Sequence, residues 1–148
     1  MSKIKFLVTG GAGFIGSNIV SVLVEKGYKV KVLDNFSSGK RENLKGFEND
    51  IELIEGDIRS YHIVQESLKD VDIVLHQAAL PSVPRSIKDP ITSNEVNING
   101  TLNILEASVA AKVRRVIYAS SSSVYGDNPQ LPKHESMMTN PLSPYSVS

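Results

Sequence analysis

The segment VTGGAGFIGS, residues 8–17, constrains the fold more than any other part of the chain. Its glycines Gly10, Gly13 and Gly16 recur at every third position, after a short apolar run and before a stretch of helical periodicity. At such a junction the first glycine permits a tight turn, the second lets a pyrophosphate approach the backbone, and the third lets the helix pack close to the strand. The unpaired N–H groups at the start of the helix then face the phosphates. The segment predicts a dinucleotide-binding loop.

Five short apolar runs alternate with longer stretches of helical period. We predict strands at residues 3–8, 29–33, 51–55, 72–76 and 115–120, and helices at 14–27, 60–70 and 91–112. This alternation is typical of a parallel sheet covered by helices. Right-handed crossovers give the strand order 3-2-1-4-5, with a ligand crevice between strands one and four at their carboxyl ends. We therefore expect an α/β fold: a Rossmann-like, doubly wound parallel sheet in three α/β/α layers.

Apolar spacing predicts which helix faces are buried. The predicted core positions are Ile15, Ile19, Val22 and Leu23 in the first helix, Ile63, Val64 and Leu68 in the second, and Ile91, Val96, Ile98, Leu102, Leu105 and Val109 in the third. Gly100 lies inside the third helix, where glycine costs about 1 kcal/mol relative to alanine. We expect a close contact against the backbone there. Residues 125–144 are rich in proline and predict an irregular loop.

Two aspartates, Asp34 and Asp57, follow the carboxyl ends of predicted strands, at the edge of the sheet where we expect the nucleotide. Asp34 follows Gly16 by the roughly 20 residues at which a carboxylate can accept hydrogen bonds from a ribose diol, and its charge would repel a 2′-phosphate. This favours NAD over NADP, although Asp34 could also be an ordinary strand-end residue before a turn. Asp57 could meet the adenine edge or cap the following helix, and its sequence context leaves both open.

Composition limits the classes of binding partner and the cellular compartment that we expect for the protein. The 148 residues suffice for one domain, and 16 basic side chains balance 16 acidic ones, so no summed field attracts nucleic acid or an anionic membrane. The chain has no cysteine, which agrees with the cytoplasm, and no apolar stretch of membrane-spanning length. Its three histidines are scattered, so the sequence predicts no metal site.

A row of serines and a late tyrosine bring further chemistry to the same edge of the sheet. Residues 120–123 are serines at the carboxyl end of the fifth strand, where we expect them to be ordered and to bind a substrate hydroxyl. A tyrosine phenol ordinarily has a pKa of about 10, so Tyr145 needs nearby positive charge to act as a base. A lysine one helical turn later would supply it. The chain ends three residues after Tyr145.

Motifs along the whole chain carry a family resemblance. They are TGGAGFIGS, DN at Asp34, GDI at Asp57, HQAA at His76, VNINGT at Val96, SSSSVYG and SPYSVS. In this order they resemble the extended short-chain dehydrogenase/reductase family, specifically its NAD-dependent nucleotide-sugar epimerases and dehydratases. The stretches QAALPSVPRSIKDPITSN, LPKHE and NPLSPY are similar to the UDP-glucose and UDP-N-acetylglucosamine 4-epimerases.

The resemblance implies roles for particular residues. Implied cofactor contacts are Gly10, Gly13, Phe14, Ile15, Gly16, Asp34, Asn35, Ser38, Gly39, Asp57, Ile58, Gln77, Ala78 and Ala79. Implied substrate contacts are Ser82 and Arg85, and the implied catalytic residues are Tyr145 as base with Ser121, Ser122 and Ser123 at the reacting hydroxyl. Asn97 is expected to be a structural residue that distorts its helix.

The implied activity is C4 inversion of a UDP-hexose or UDP-N-acetylhexosamine through a 4-keto intermediate, with NAD as cofactor. A 4,6-dehydratase or decarboxylase of the same family is the alternative, although Ser122 and Ser123 stand where such dehydratases tend to carry an acidic pair. A third alternative is that the protein is a non-catalytic module that senses NAD. The family's YxxxK lysine is not in the sequence, so we expect residues 1–148 to be an N-terminal NAD(P)-binding fragment that binds cofactor without turnover, from an enzyme that is a homodimer at full length.

Overall fold

The computed structural model describes residues 4–148. Its strands are β1 (Lys5–Thr9), β2 (Lys29–Asp34), β3 (Ile51–Glu55), β4 (Ile73–His76) and β5 (Arg115–Tyr118). Its helices are α1 (Phe14–Glu25), α2 (Tyr61–Ser67), α3 (Val83–Lys88), α4 (Pro90–Asn94), α5 (Gly100–Ala110) and α6 (Pro144–Val147). Short 3-10 turns cover Arg41–Leu44 and Ser122–Tyr125, and a π-helical turn, Glu95–Asn99, joins α4 to α5.

The strands form one parallel sheet in the order β3-β2-β1-β4-β5, which confirms the predicted topology. All five predicted strands are present, with ends displaced by at most a few residues. The predicted start of the first strand at Lys3 lies outside the described residues. In the sheet Thr9, at the end of β1, is paired in register with His76, at the end of β4. These two carboxyl ends therefore form the centre of the expected crevice.

Two apolar clusters fill the space between the sheet and its helices. On one face Leu7, Leu33 and Val74 pack with residues of α2 and α5. On the other face Val8 and Val32 pack with residues of α1. Both faces of the central strands are therefore buried, as expected where parallel strands read as continuous apolar runs.

The buried face of α1 differs in part from the prediction. Leu23 is buried as expected, but Ile15 and Val22 are largely exposed, and Val20 is fully buried instead. Ile15 lies in the first turn, at the crevice rather than over the sheet. In the first turn the buried contact is made by Gly16, which packs against the backbone of Gly10 and Gly11 in the loop after β1, so no bulky apolar side chain fits there.

The predicted apolar face of the third helix is mostly wrong. Of its positions only Val96 is buried; the others lie exposed at Ile91, Ile98, Leu102, Leu105 and Val109. The buried residues of α5 include Ile104 and Ala107. The exposed positions lie on both sides of the π-helical turn, so a rotation at that turn is not the cause. The buried face is formed largely by small residues such as Ser93, Gly100 and Ala107, and the apolar stripe lies on the outside.

The expected contact at Gly100 is confirmed. A Cβ at this position would lie 2.5 Å from Cδ1 of Ile58, which packs directly on the helix backbone. The remaining chain, after β5, is largely irregular up to α6, as predicted. Helix α6 begins with a capping box, in which Ser143 and Ser146 exchange side-chain bonds with each other's backbone N–H. No helix in residues 4–148 is long and apolar enough to cross a membrane.

Candidate functional site

A crevice of about 860 Å³ lies at the carboxyl ends of the strands. Every residue predicted to contact the cofactor lines it, from the glycine loop to Gln77, Ala78 and Ala79. Tyr145, Ser121 and Arg85 line it as well, whereas Ser82, Ser122 and Ser123 are not among the lining residues. Ser82 accepts the N–H of Arg85 as the N-cap of α3, and Ser122 and Ser123 lie in the 3-10 turn. The topology thus collects predicted cofactor and catalytic residues in one cavity.

The glycine loop has the geometry that its spacing requires. Gly10 has φ of +66°, in the left-handed region, and its N–H donates to the carbonyl of Leu33. Gly13 donates to the carbonyl of Gly10 and stands at the N-cap of α1, where no described side chain caps the helix. A Cβ on Gly16 would lie 2.1 Å from the carbonyl oxygen of Gly10. The loop is therefore a cradle of bare backbone, which fits a pyrophosphate at the helix N-terminus.

Asp34 connects this loop to β2. Its side chain is 8% exposed, and its two carboxylate oxygens accept the N–H groups of Ala12 at 2.9 Å and Phe36 at 2.8 Å. The carboxylate thus helps to hold the glycine loop closed while it lines the crevice. Its role toward a ribose stays a prediction.

Asp57 is held by Arg59 and Asn35 at the crevice wall. The Arg59 guanidinium contacts both carboxylate oxygens, at 3.0 and 2.8 Å, and Asn35 donates to one of them at 2.9 Å. Hydrogen bonding from Arg59 lowers the pKa of Asp57 to about 2. The reading of Asp57 as a helix cap is wrong, because Ser60 occupies the N-cap position of α2. Contact of Asp57 with adenine stays a prediction.

His76 lies under the crevice floor and is 4% exposed. Its Nδ1 lies 2.6 Å from Oγ1 of Thr9, and its Nε2 lies 3.0 Å from Oγ1 of Thr101. Burial lowers the pKa of the ring to about 4. The sequence identified His76 as a strand-end residue, which is confirmed, but it gave no sign of either threonine partner. Within residues 4–148 no group of three or more His, Asp or Glu side chains is placed to hold a metal ion.

Comparison with known proteins decides the family. The model of the NAD dependent epimerase/dehydratase family matches residues 6–148. The chain belongs to this family. Its identity with UDP-glucose 4-epimerase of Mycolicibacterium smegmatis is 42% over 147 residues, which cover 97% of this chain and 47% of that protein.

Solved structures agree with this epimerase/dehydratase assignment. The UDP-N-acetylglucosamine 4-epimerase of Methanobrevibacter ruminantium, in complex with UDP-N-acetylmuramic acid, superposes with a TM-score of 0.91 at 42% identity, over 99% of this chain and 47% of that one. The UDP-glucose 4-epimerase of Thermus thermophilus in complex with NAD gives 0.89 at 39% identity, over 97% and 47%. The chain spans about half the length of these relatives.

In this epimerase/dehydratase-family chain, Ser86 fixes the backbone of Tyr145. The Ser86 hydroxyl is fully buried, accepts the N–H of Tyr145 at 3.1 Å and donates to the carbonyl of Val83 at 2.8 Å. Helix α3 is thereby tied to α6. Sequence reasoning missed Ser86, as it missed Thr9 and Thr101, because an isolated hydroxyl carries no pattern and its partner is 59 residues away.

We expect Ser86→Ala to destabilise the fold by about 1–3 kcal/mol, because it leaves the Tyr145 N–H without its acceptor. Ser67→Ala is the matched control: Ser67 is equally buried, but its hydroxyl only donates to the carbonyl of Val64. Urea unfolding of the two variants, with amide exchange at Tyr145, tests the expectation. Equal losses of stability and an unchanged exchange rate at Tyr145 would contradict it.

His76 makes stability depend on pH. The unfolded chain takes up a proton on this ring near pH 6.5, whereas the folded protein resists protonation down to about pH 4. The free energy of unfolding therefore falls on acidification through this window, by at most about 3 kcal/mol. Urea unfolding at intervals from neutral pH down to the lower end of this window measures it. His76→Asn should flatten the slope, and an equal slope in both proteins would count against this source of acid sensitivity.

Proposed function

We propose that the chain forms the cofactor-binding half of an NAD-dependent nucleotide-sugar 4-epimerase. The observation that carries the proposal is one crevice in which the glycine loop, Asp34 and Tyr145 all meet. The loop suits the pyrophosphate, and the charge of Asp34 suits a ribose diol and repels a 2′-phosphate. The relatives named as UDP-sugar 4-epimerases, one of them solved with NAD, support the same assignment.

The proposed chemistry divides between the cofactor and the side chains. Bound NAD+ would accept a hydride from C4 of the sugar and return it to the opposite face. Tyr145 takes the proton of the 4-hydroxyl and gives it back, while Ser121 hydrogen-bonds the same oxygen. Ser122 and Ser123 support the turn that presents Ser121, whose hydroxyl lies 3.1 Å from that of Ser123. Proton transfer by a positioned side chain contributes about 10²–10⁴-fold to such reactions.

Substrate is held from helix α3 in this proposal. Arg85 lines the crevice and offers a guanidinium to the diphosphate of a UDP-sugar. The Ser82 hydroxyl accepts the N–H of Arg85 at 3.2 Å and so fixes the first turn of the same helix. This bond fixes the backbone position from which the Arg85 side chain extends. Binding through the remote nucleotide keeps the keto sugar captive while its ring turns between the two hydride transfers.

Assembly and location are part of the proposal. The complete protein would be a cytoplasmic homodimer in which a lysine after Tyr145 and a sugar-nucleotide-binding part complete the site. Support for self-association comes from the α5 face, where Leu102 and Val109 are 60% and 76% exposed. A pair of such apolar helices buried against each other would remove this surface from water. By itself the 148-residue chain would bind NAD without turnover.

The family's second chemistry, 4,6-dehydration, is the alternative. It shares the first oxidation at C4 but then needs acid and base groups to eliminate water. Ser122 and Ser123 offer hydroxyls rather than carboxylates after Ser121. This difference favours epimerisation.

Two measurements test the proposal. Denaturing the purified chain and weighing the released nucleotide should identify NAD, and an empty or NADP-loaded protein would contradict the cofactor assignment. The complete protein, incubated with UDP-glucose, UDP-galactose and their N-acetyl forms, should invert C4 and return a product of unchanged mass. A product lighter by one water would indicate the dehydratase instead.

A further inference from the structure

A line of hydrogen bonds begins under the glycine loop, and its direction is fixed. The Thr9 hydroxyl is buried and accepts the N–H groups of Gln77 and Ala78, both at 3.2 Å. Its own hydrogen is then available for Nδ1 of His76, 2.6 Å away. The ring must accept at Nδ1, so a neutral ring carries its proton on Nε2 and donates it to Thr101 at 3.0 Å.

The line continues from His76 to the helix of Tyr145. Thr101 donates to the carbonyl of Asn97 at 2.6 Å, within the π-helical turn. The Asn97 amide is oriented by the N–H of Leu80, which donates to Oδ1 at 2.8 Å, so Nδ2 faces Ser148 at 3.0 Å. Ser148 in turn donates to the carbonyl of Tyr145 at 3.2 Å. Every donor along this path has an acceptor ahead of it.

We propose that His76 is a positioning residue for Tyr145, whose neutral ring connects the end of β1 to the π-helical turn and, through Asn97 and Ser148, to helix α6. The proposal rests on the proposed function in one respect, the role of Tyr145 as the reacting base. His76 is 4% exposed, which leaves its ring little surface for a ligand in the crevice. It acts by fixing the distance between the cofactor loop and the tyrosine.

This arrangement of hydrogen bonds requires a neutral histidine ring at position 76. The ring lies between two threonines and accepts from Thr9 at Nδ1 while it donates to Thr101 from Nε2. A protonated ring would place an Nδ1–H against the hydroxyl hydrogen of Thr9. The depressed pKa of His76, which burial alone causes, agrees with a ring that stays neutral. Titratable side chains that line the same crevice are Asp34, Asp57, Arg59, Arg85, Tyr118 and Tyr145.

The tautomer can be tested on the 148-residue chain, without activity. In two-bond ¹H–¹⁵N spectra of histidine-labelled protein, we expect His76 as the Nε2–H tautomer, unchanged on acidification until the pH approaches the lowered pKa of this ring, about 4. A Nδ1–H tautomer, or a His76 ring that is already protonated near neutral pH, would overturn the proposal.

The link to Tyr145 is tested by Thr101 variants of the complete, NAD-loaded enzyme. Thr101→Val removes both bonds of the hydroxyl, whereas Thr101→Ser keeps them. We expect Thr101→Val to lower kcat by about 10–100-fold with little change in KM or in bound NAD, and Thr101→Ser to recover most of kcat. Equal kcat values in the two variants would overturn this proposal. A wild-type protein without epimerase activity would instead overturn the proposed function, and the tautomer measurement would still test His76.

Discussion

Gly16→Ala should cost about 4 kcal/mol or more of folding free energy, at the upper end for a single substitution. The added Cβ would lie 2.1 Å from the Gly10 carbonyl oxygen and 2.8 Å from Cα of Gly11, both of them backbone atoms. A side chain could rotate away, but here α1 must move off β1 or the loop must open. Either movement destroys the pyrophosphate cradle, so we expect the variant to lose bound NAD as well. Urea unfolding, with the mass of the released nucleotide, measures both effects.

Gly46→Ala is the matched control for this substitution. Gly46 has φ of +95°, so alanine is strained there, but a Cβ would meet no atom within 4 Å. Its expected cost is about 1 kcal/mol, from the backbone alone. If Gly16→Ala were no more destabilising than Gly46→Ala, or retained NAD normally, close packing of helix on loop would not be the reason for a glycine at this position.

The glycine loop could be predicted from the sequence because its constraints are local. The turn at Gly10 and the close helix contact at Gly16 both follow from residues within one strand-loop-helix unit. The strand order could be predicted for a related reason, since right-handed crossovers leave few topologies for alternating strands and helices. These two rules together gave the position of the crevice.

The buried face of α5 could not be predicted, because it is formed largely by small residues. Leu102 and Leu105 belong to an apolar stripe that is exposed, whereas the buried face combines Ile104 with Gly100 and Ala107. The sequence did suggest a distortion at Asn97, which lies in the π-helical turn. Periodicity identifies an apolar stripe, but it does not decide which face of the helix meets the sheet.

The bonds that position Tyr145 were also beyond prediction. Ser86 and Tyr145 meet because α3 and α6 pack together, and Thr9 meets His76 because β1 and β4 are neighbours in the sheet. Such pairs depend on tertiary structure and leave no spacing in the sequence. The catalytic candidates were found by their chemistry, whereas the residues that hold them needed the fold.

Under the proposed 4-epimerase activity, Tyr145→Phe should lower kcat of the complete protein by about 10²–10⁴-fold, because phenylalanine cannot take the proton of the sugar 4-hydroxyl. The ring keeps its place, since the N–H bond to Ser86 and the cap at Ser143 belong to the backbone and to other side chains. NAD should stay bound, because its proposed contacts lie on the glycine loop and Asp34. Adding UDP-hexose should therefore give neither the epimer nor the absorbance of reduced nicotinamide.

Tyr28→Phe is the control for this substitution. The Tyr28 ring packs against the ring of Phe6, with their centroids 5.1 Å apart, away from the crevice, so loss of the Tyr28 hydroxyl should leave kcat unchanged. If Tyr145→Phe kept more than about a tenth of kcat, or reduced NAD at the normal rate, another group would be the base.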